Sequence, residues 1–341
     1  MKTGPSPVWR AAVIGCGRIG SSFSDAAGGG AVLSHAQAYS LCPETKLVGV
    51  CDADAGKAQE CARRWQVEAA YASVEQLLAE AKPQIVSICT PDTTHGEVAR
   101  QVLACPSVAA VLLEKPIALS LKEAKEIVAL ARERGLKLAV NYSRRFAASH
   151  QRLRQWIQSG GLGRIQAIKG AYTKGVIHNG THWFDLIRFL AGEVKSVQAR
   201  NVLGENSADP TLDCWLELEN GCSAFLHGCD AESFAVFESE LIGTRGRVRT
   251  ADSGRSFEFF EVTDDPQYAG FKALRPTTGF PGGLDDALPN SVSDLIGALR
   301  ENREPICNGD DGLAALRVAL AARESSVTGQ AVRLDKLNES N

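Results

Sequence analysis

Gly15-Cys16-Gly17-Arg18-Ile19-Gly20 is a G-x-G-x-x-G placed directly after an apolar run, VWRAAVIG. Such a loop holds phosphate through main-chain N–H groups. Gly15 permits the tight turn, Gly17 lets a pyrophosphate reach the backbone, and Gly20 lets helix and strand pack closely. Arg18 and Ile19 complete the loop, and the helix start that follows adds donors and a partial positive charge. Asp52 closes the next apolar run, KLVGVCD. Its carboxylate can accept both hydroxyls of an adenosine ribose and would repel a 2′-phosphate. Ala53 and Asp54 follow, with no Arg beside them for such a phosphate. The expected cofactor is therefore NAD rather than NADP.

A second group of candidates is basic. Lys115 lies in EKP (114–116), where a buried apolar run ends, and open parallel sheets bind ligands at such ends. His178 and His182 are four residues apart and Asp185 lies three further on, a spacing that allows a metal site. The metalloprotease form needs Glu after the first His, where Asn179 stands. Gly180 suggests a helix that starts only after His178, which would break the shared face. No metal is expected. Oxidising a secondary alcohol, by contrast, removes a hydride from carbon and a proton from oxygen. A nicotinamide takes the hydride. Histidine is the side chain best matched to take the proton near neutral pH, and an ammonium nearby would stabilise the developing alkoxide. His35, His150 and His227 have no motif context and read as structural or exposed.

The elements that must position these residues alternate over the first part of the chain. VWRAAVIG, KLVGVCD (46–52), PQIVSICTP (83–91), VAAVLLEKP (108–116) and KLAVNY (137–142) are continuous apolar runs, as in strands buried on both faces of a parallel sheet. AGKAQECARRW, SVEQLLAEA, HGEVARQVLA and SLKEAKEIVALARERG read as helices between them. The last has Ser120 and Glu123 as a capping box and Gly135 as a stop. This predicts an α/β fold, with a doubly wound Rossmann domain over residues 1–145. Asp52 lies 32 residues after Gly20, where about 20 is usual. The surplus, SSFSDAAGGGAVLS (21–34), contains three consecutive glycines that should interrupt the first helix. It is either a loop near the pyrophosphate that helps close the site or a surface elaboration.

After Arg145 the rhythm changes. SHQRLRQWIQSG and THWFDLIRFLAG read as helices, and RIQAIKGAYT as a strand. VKSVQARNV, LDCWLELEN, CSAFLHGC, FAVFESELIG, GRVRT and SFEFFEV then follow as strands, with ENG (219–221) as a hairpin turn. Residues 264–290, with DDP, RP, FPGG and LPN, read as the longest loop, one able to reach a substrate cleft. Two helices close the chain. Residues 146–341 are thus expected to form an α+β substrate-binding and oligomerisation domain on a mostly antiparallel open sheet. Such a sheet has one face left to cover, which predicts a homodimer or homotetramer.

TPDTTH (90–95), EKP (114–116), NYSRRF (141–146) and HNGTHWFDLIRFLAGE (178–193) come in fixed order after the glycine loop. In this the chain resembles the Gfo/Idh/MocA family of nicotinamide-dependent oxidoreductases (glucose–fructose oxidoreductase, inositol dehydrogenase and relatives), over nearly its whole length. The resemblance implies that Lys115 is the active-site lysine between nicotinamide and substrate hydroxyl, with a cis peptide to Pro116. It implies that Thr90, Pro91 and His95 border the cofactor and that Glu114 lies near the nicotinamide ribose. It places Asn141, Arg144 and Arg145 on the segment leading to the substrate. His182 matches the catalytic histidine of the family's D-x-x-x-H-x-x-D pattern and Asp185 its final Asp. The first Asp is replaced by His178, so the family's usual cyclitols and aldoses do not transfer directly. On this reading His182 is the general acid/base and Lys115 the orienting ammonium. His178 supports proton transfer or, with Asp185, binds substrate.

Composition narrows the alternatives. The 341 residues are 44% apolar and 23% charged, which excludes a disordered chain. The net charge is −3 with no basic stretch, so neither a nucleic acid nor an anionic membrane surface is an expected partner. No apolar run reaches membrane-spanning length and no export signal is evident. Ten cysteines without a C-x-x-C read as reduced thiols and a cytoplasmic address. The leading function is an NAD-dependent dehydrogenase or reductase acting on a hydroxyl of a sugar, cyclitol or sugar derivative. The alternatives are a glycoside hydrolase or lyase that oxidises transiently, leaving NAD unchanged, and a non-catalytic NAD-binding sensor.

Overall fold

The computed structural model describes residues 8–23 and 31–337. The expectation for the insert at 21–34 therefore falls largely on residues 24–30, which lie outside the described residues. The chain divides into two compact units, one of residues 1–146 with 285–313 and one of 147–284 with 314–341. The expected single cut at 145/146 misses this return segment. Its helix α9 (Ala287–Glu301) buries Val292, Leu295 and Ile296 and packs with the first unit's sheet. An amphipathic helix does not reveal in sequence which domain its apolar face covers.

In the first unit, β1 (Trp9–Ile14), β2 (Thr45–Cys51), β3 (Ala70–Tyr71), β4 (Ile85–Ile88), β5 (Ala110–Leu113) and β6 (Lys137–Val140) form a parallel sheet in the order β3-β2-β1-β4-β5-β6. The central strands are buried throughout because helices cover both faces. α1 (His35–Leu41), α2 (Ala55–Trp65), α3 (Val74–Ala81), α4 (His95–Ala104) and α5 (Leu121–Glu133) connect them. Asp54 caps α2 by accepting the N–H groups of Gly56 and Lys57. Ser120 accepts the N–H of Glu123, as the capping box predicts. β3 escapes the sequence reading because two residues make no apolar run.

The first helix is interrupted in an informative way. After the glycine loop the chain makes one turn, in which Ser21 N–H donates to the Gly17 carbonyl at 2.9 Å. α1 begins only at His35. Its first N–H groups, from His35 and Ala36, donate to the carbonyls of Ile19 and Gly20 at 3.0 Å each. The helix thus resumes on the turn it left.

In the second unit a nine-stranded sheet runs β14-β13-β12-β11-β7-β10-β9-β8-β15. Its strands are β7 (Ile165–Tyr172), β8 (Val194–Arg200), β9 (Asp213–Leu218), β10 (Ser223–Gly228), β11 (Phe237–Gly243), β12 (Gly246–Ala251), β13 (Ser256–Asp264), β14 (Lys272–Thr277) and β15 (Val332–Arg333). Every neighbouring pair is antiparallel except β7 and β10, which run parallel. The ENG turn joins β9 to β10 as expected. The expected loop at 264–290 is corrected in its first part: residues 272–277 fold back on β13 as an edge strand. KALRPT hides this strand because it contains Pro276, which only an edge tolerates. α6 (Ser143–Phe146) closes the first unit, and α7 (Ala148–Gln158) and α8 (Thr181–Ala191) belong to the second. α10 (Gly309–Thr328) starts in the first unit and ends in the second. Gly170 on β7 lets fully buried Trp183 of α8 lie against the strand, since a Cβ there would come 2.1 Å from the indole nitrogen. Among the described residues no helix is long and apolar enough to cross a membrane.

Candidate active site

The three glycines divide their tasks. A Cβ on Gly15 (φ +96°) would lie 2.5 Å from the Cys89 carbonyl, and one on Gly20 would lie 1.9 Å from the Gly15 oxygen. These two serve packing. A Cβ on exposed Gly17 would meet nothing within 4 Å, so this side of the loop is open to a ligand. Arg18 stacks its guanidinium 4.3 Å from the centre of the Phe23 ring, and Ile19 lends its carbonyl to α1. Asp52 accepts the Cys16 N–H on one oxygen at 2.8 Å and the Asp54 N–H on the other at 2.9 Å. It therefore fixes the glycine loop to the end of β2, and each oxygen keeps a lone pair for a ribose hydroxyl. Two buried polar atoms, Thr90 Oγ1 after β4 and Asn141 Oδ1 after β6, have no hydrogen-bond partner among the described residues. Buried polar atoms are normally satisfied, and here a polar ligand at the carboxyl ends of the strands would satisfy them. The open Gly17, the Asp52 carboxylate and these two atoms fit a dinucleotide.

Glu114, at the end of β5, is the centre of a buried network. His35 Nε2 is 2.9 Å from its Oε1, and Asn141 Nδ2 donates to the same oxygen at 2.6 Å. His35 Nδ1 is 2.8 Å from Ser87 Oγ, which is 2.8 Å from Tyr39 Oη. Both ring nitrogens of His35 are thus engaged, one by the carboxylate and one by the serine hydroxyl. Burial alone would push the Glu114 carboxyl up. The His35 hydrogen bond and charge, the Asn141 amide and the Lys115 ammonium outweigh it and hold the group below the ordinary glutamate value. The other carboxylate oxygen accepts the Lys115 N–H at 3.3 Å, and the Lys115–Pro116 peptide is cis.

The remaining first-unit candidates lie on the segments that follow β4 and β6. His95 Nδ1 lies 2.7 Å from the Pro116 carbonyl and Nε2 lies 3.0 Å from the Thr90 carbonyl. Both ring nitrogens are thereby engaged in tying the β4 and β5 ends together. Pro91 precedes the short turn Asp92–Thr94 that leads into α4. Arg145 is buried and pairs with Asp311 at 3.0 Å, and Arg144 is buried beside it in α6.

The histidines stand in the second unit on one helical segment. The expectation that helix starts only after His178 is overturned. A π-helical turn spans Gly175–Gly180 and runs straight into α8, with Gly180 itself helical (φ −59°, ψ −35°). The reason lies elsewhere in the chain. Four consecutive N–H groups at the start of this turn are satisfied by three residues, Asp209, Pro210 and Thr211. His178 is exposed, and His182 packs edge-on at 6.2 Å from the Phe237 ring. Asp185 is buried and lies 3.7 Å from Arg188. Among the described residues no group of three or more His, Cys, Asp or Glu is arranged to hold a metal. Sequence reasoning missed His35, Ser87, Tyr39 and Asp209. Only Asp209 carried a signal, since Asp-Pro favours a turn.

The chain matches two family models: an oxidoreductase family with an NAD-binding Rossmann fold over residues 9–142, and the C-terminal alpha/beta domain of the same family over 154–334. It is 30% identical to a UDP-N-acetylglucosamine 3-dehydrogenase of Acidithiobacillus ferrooxidans, over 92% of this chain and 96% of that one. It is 25% identical to an inositol 2-dehydrogenase of Rhizobium meliloti, over 93% of this chain and 96% of that one. The crystal structure of an NAD binding oxidoreductase from Klebsiella pneumoniae superposes with a TM-score of 0.79 at 19% identity, covering 96% of this chain and 99% of that one.

Two outcomes follow for this site. Gly17→Ala is expected to weaken NAD binding with the urea midpoint unchanged, whereas Gly20→Ala destabilises the fold by about 1–3 kcal/mol through overpacking. Paired urea melts and NAD titrations separate the two. Because the folded Glu114 value lies below its ordinary 4.5, the group stabilises the fold above that pH. The contribution is lost as pH falls through the lower folded value. Urea melts between neutral and acid pH should show this decline in the native chain and its absence in Glu114→Gln.

Proposed function

The chain belongs to the Gfo/Idh/MocA oxidoreductase family, its cofactor is NAD, and on that premise we propose that it interconverts a ring hydroxyl and the corresponding ketone on a sugar, cyclitol or sugar derivative. The observation that carries this reading is the anchoring of Lys115 by a buried, ionised Glu114 in the same sheet as the open Gly17 loop. When bound, NAD supplies the hydride acceptor. The chain's own residues handle the proton and the charge. The His182 imidazole takes the hydroxyl proton, and the Lys115 ammonium donates a hydrogen bond to the oxygen as negative charge grows on it. Glu114 keeps a negative charge close to that ammonium and so favours its charged form. Asn141, Arg144, Arg145, His178 and Asp185 are proposed as the groups around the substrate. The two relatives support the substrate class, because each is named for oxidising a hydroxyl of a six-membered ring compound.

We further propose a homodimer or homotetramer formed through the open face of the nine-stranded sheet. Trp215 is 54% exposed there, beside the Phe225 ring at 6.0 Å. Lys169, Glu238, Glu240, Arg247 and Arg249 form a mixed-charge stripe on the same face, suited to pairing with a second copy. The ten free thiols support a reducing compartment, the cytoplasm.

Lys115→Ala and His182→Ala should each lower kcat roughly 10²–10³-fold on whichever cyclitol or nucleotide sugar is turned over. The double variant should lose far less than the product of the two, since the residues act as a unit. Steady-state kinetics decide; strictly multiplicative losses, or undiminished turnover in either variant, contradict the assignment. In analytical ultracentrifugation, Trp215→Glu should shift the chain toward monomer, and an unshifted oligomer moves the interface elsewhere.

A further inference from the structure

The helical turn that carries His178 has an unusual beginning. Lys174 and Gly175 both adopt left-handed backbone (φ 71° and 77°), which turns the next N–H groups toward the 201–212 loop. Gly175 N–H donates to Thr211 Oγ1 at 3.1 Å and Val176 N–H to the Pro210 carbonyl at 3.0 Å. Ile177 N–H donates to one Asp209 oxygen at 2.7 Å and His178 N–H to the other at 2.8 Å. The four donors that every helix start leaves unsatisfied are therefore all taken, by three consecutive residues some thirty positions away. Gly175 is obligatory here, because a Cβ would come 2.1 Å from the Asp209 carboxylate. π-helical turns recur at functional sites, and non-glycine residues in left-handed backbone persist only where the surroundings hold them.

We propose that Asp209 is the positioning residue of the histidine segment: it clamps the backbone from which His178 and His182 project, and it sets its own negative charge beside the His178 imidazole. The charge arrives from a separate loop, and at position 178 itself a histidine stands where the resembling pattern has a carboxylate. The inference rests on the proposed role of His182. Asp209 is faced by His178 from the π-turn, Arg323 from α10 and Tyr172 from β7, and Tyr172 is faced in turn by Glu205 from the Asp209 loop. Burial raises the Asp209 carboxyl. The two N–H donors, the His178 charge and Arg323 pull it back without cancelling that rise. Glu205 accepts the Thr211 N–H at 2.7 Å and so braces the clamp from behind.

The test uses the full chain, with NMR titration of the imidazole and carboxylate signals. In Asp209→Asn, His178 should titrate at lower pH than in the native chain, because the stabilising negative charge is gone. In His178→Gln, an exposed and fold-neutral change, Asp209 should titrate at higher pH, since coupling is reciprocal. Thr211→Val removes a clamp bond without charge and should leave the His178 midpoint in place. Unmoved midpoints in both of the first two variants overturn the proposal, and should Asp209→Asn not fold, the His178→Gln arm decides alone. With myo-inositol or UDP-N-acetylglucosamine as substrate, Asp209→Asn should lower kcat, leave the KM for NAD unchanged and move the acid limb of the kcat profile. A lower kcat with an unmoved profile makes Asp209 merely structural and also overturns it. The titration needs no turnover, so a fully active His182→Ala would sink the catalytic reading while the Asp209–His178 coupling was still being read.

Discussion

A buried carboxylate must be matched by donors or give up its charge. Glu114 sits inside the first unit at the end of β5 and is matched by His35, Asn141 and the Lys115 main chain. These partners come from α1, from the end of β6 and from the adjacent residue. One ionised group thereby gathers the carboxyl ends of neighbouring strands, where an open parallel sheet binds its ligand. It also explains the interrupted helix. His35 reaches Glu114 from the first residue of α1, and the bonds to Ile19 and Gly20 hold that residue on the glycine-loop turn. Loop, helix and lysine are thus one construction.

The second unit solves a similar problem with backbone groups. The segment bearing His178 and His182 needs a fixed starting point, and its N–H groups find one in the loop residues 209–211. Trp183, packed against Gly170, locks the same helix to β7 from below. The imidazoles therefore ride on a helix held at its start and along its body. A general base gains from such fixing, because its efficiency depends on geometry before it depends on pKa.

Much of this was readable in the residues, and the parts that were not share a cause. The glycine loop, Asp52, the capping box at Ser120 and the apolar runs are local patterns whose meaning is complete within a few positions. The β3 pair was too short to register, and β14 was disguised by Pro276. The return of α9 to the first unit, the partnership of His35 with Glu114 and the Asp209 clamp are all long-range. Each joins residues whose separate neighbourhoods look ordinary: His35 lies in a plain helix, and Asp209 in a polar turn. The misjudged start of the histidine helix has the same origin. Gly180 reads as a breaker only when the donors upstream of it are assumed to lack partners.

In the proposed reaction the substrate's own carbon-bound hydrogen passes to the cofactor, with Lys115 and His182 assigned to the oxygen. The most direct measurement is mass spectrometry of the dinucleotide after reaction with a perdeuterated ring substrate and NAD. Reduced cofactor carrying one deuterium, formed in step with the ketone, is the expected product. Substrate consumed over many turnovers while the dinucleotide stays oxidised and unlabelled would contradict it.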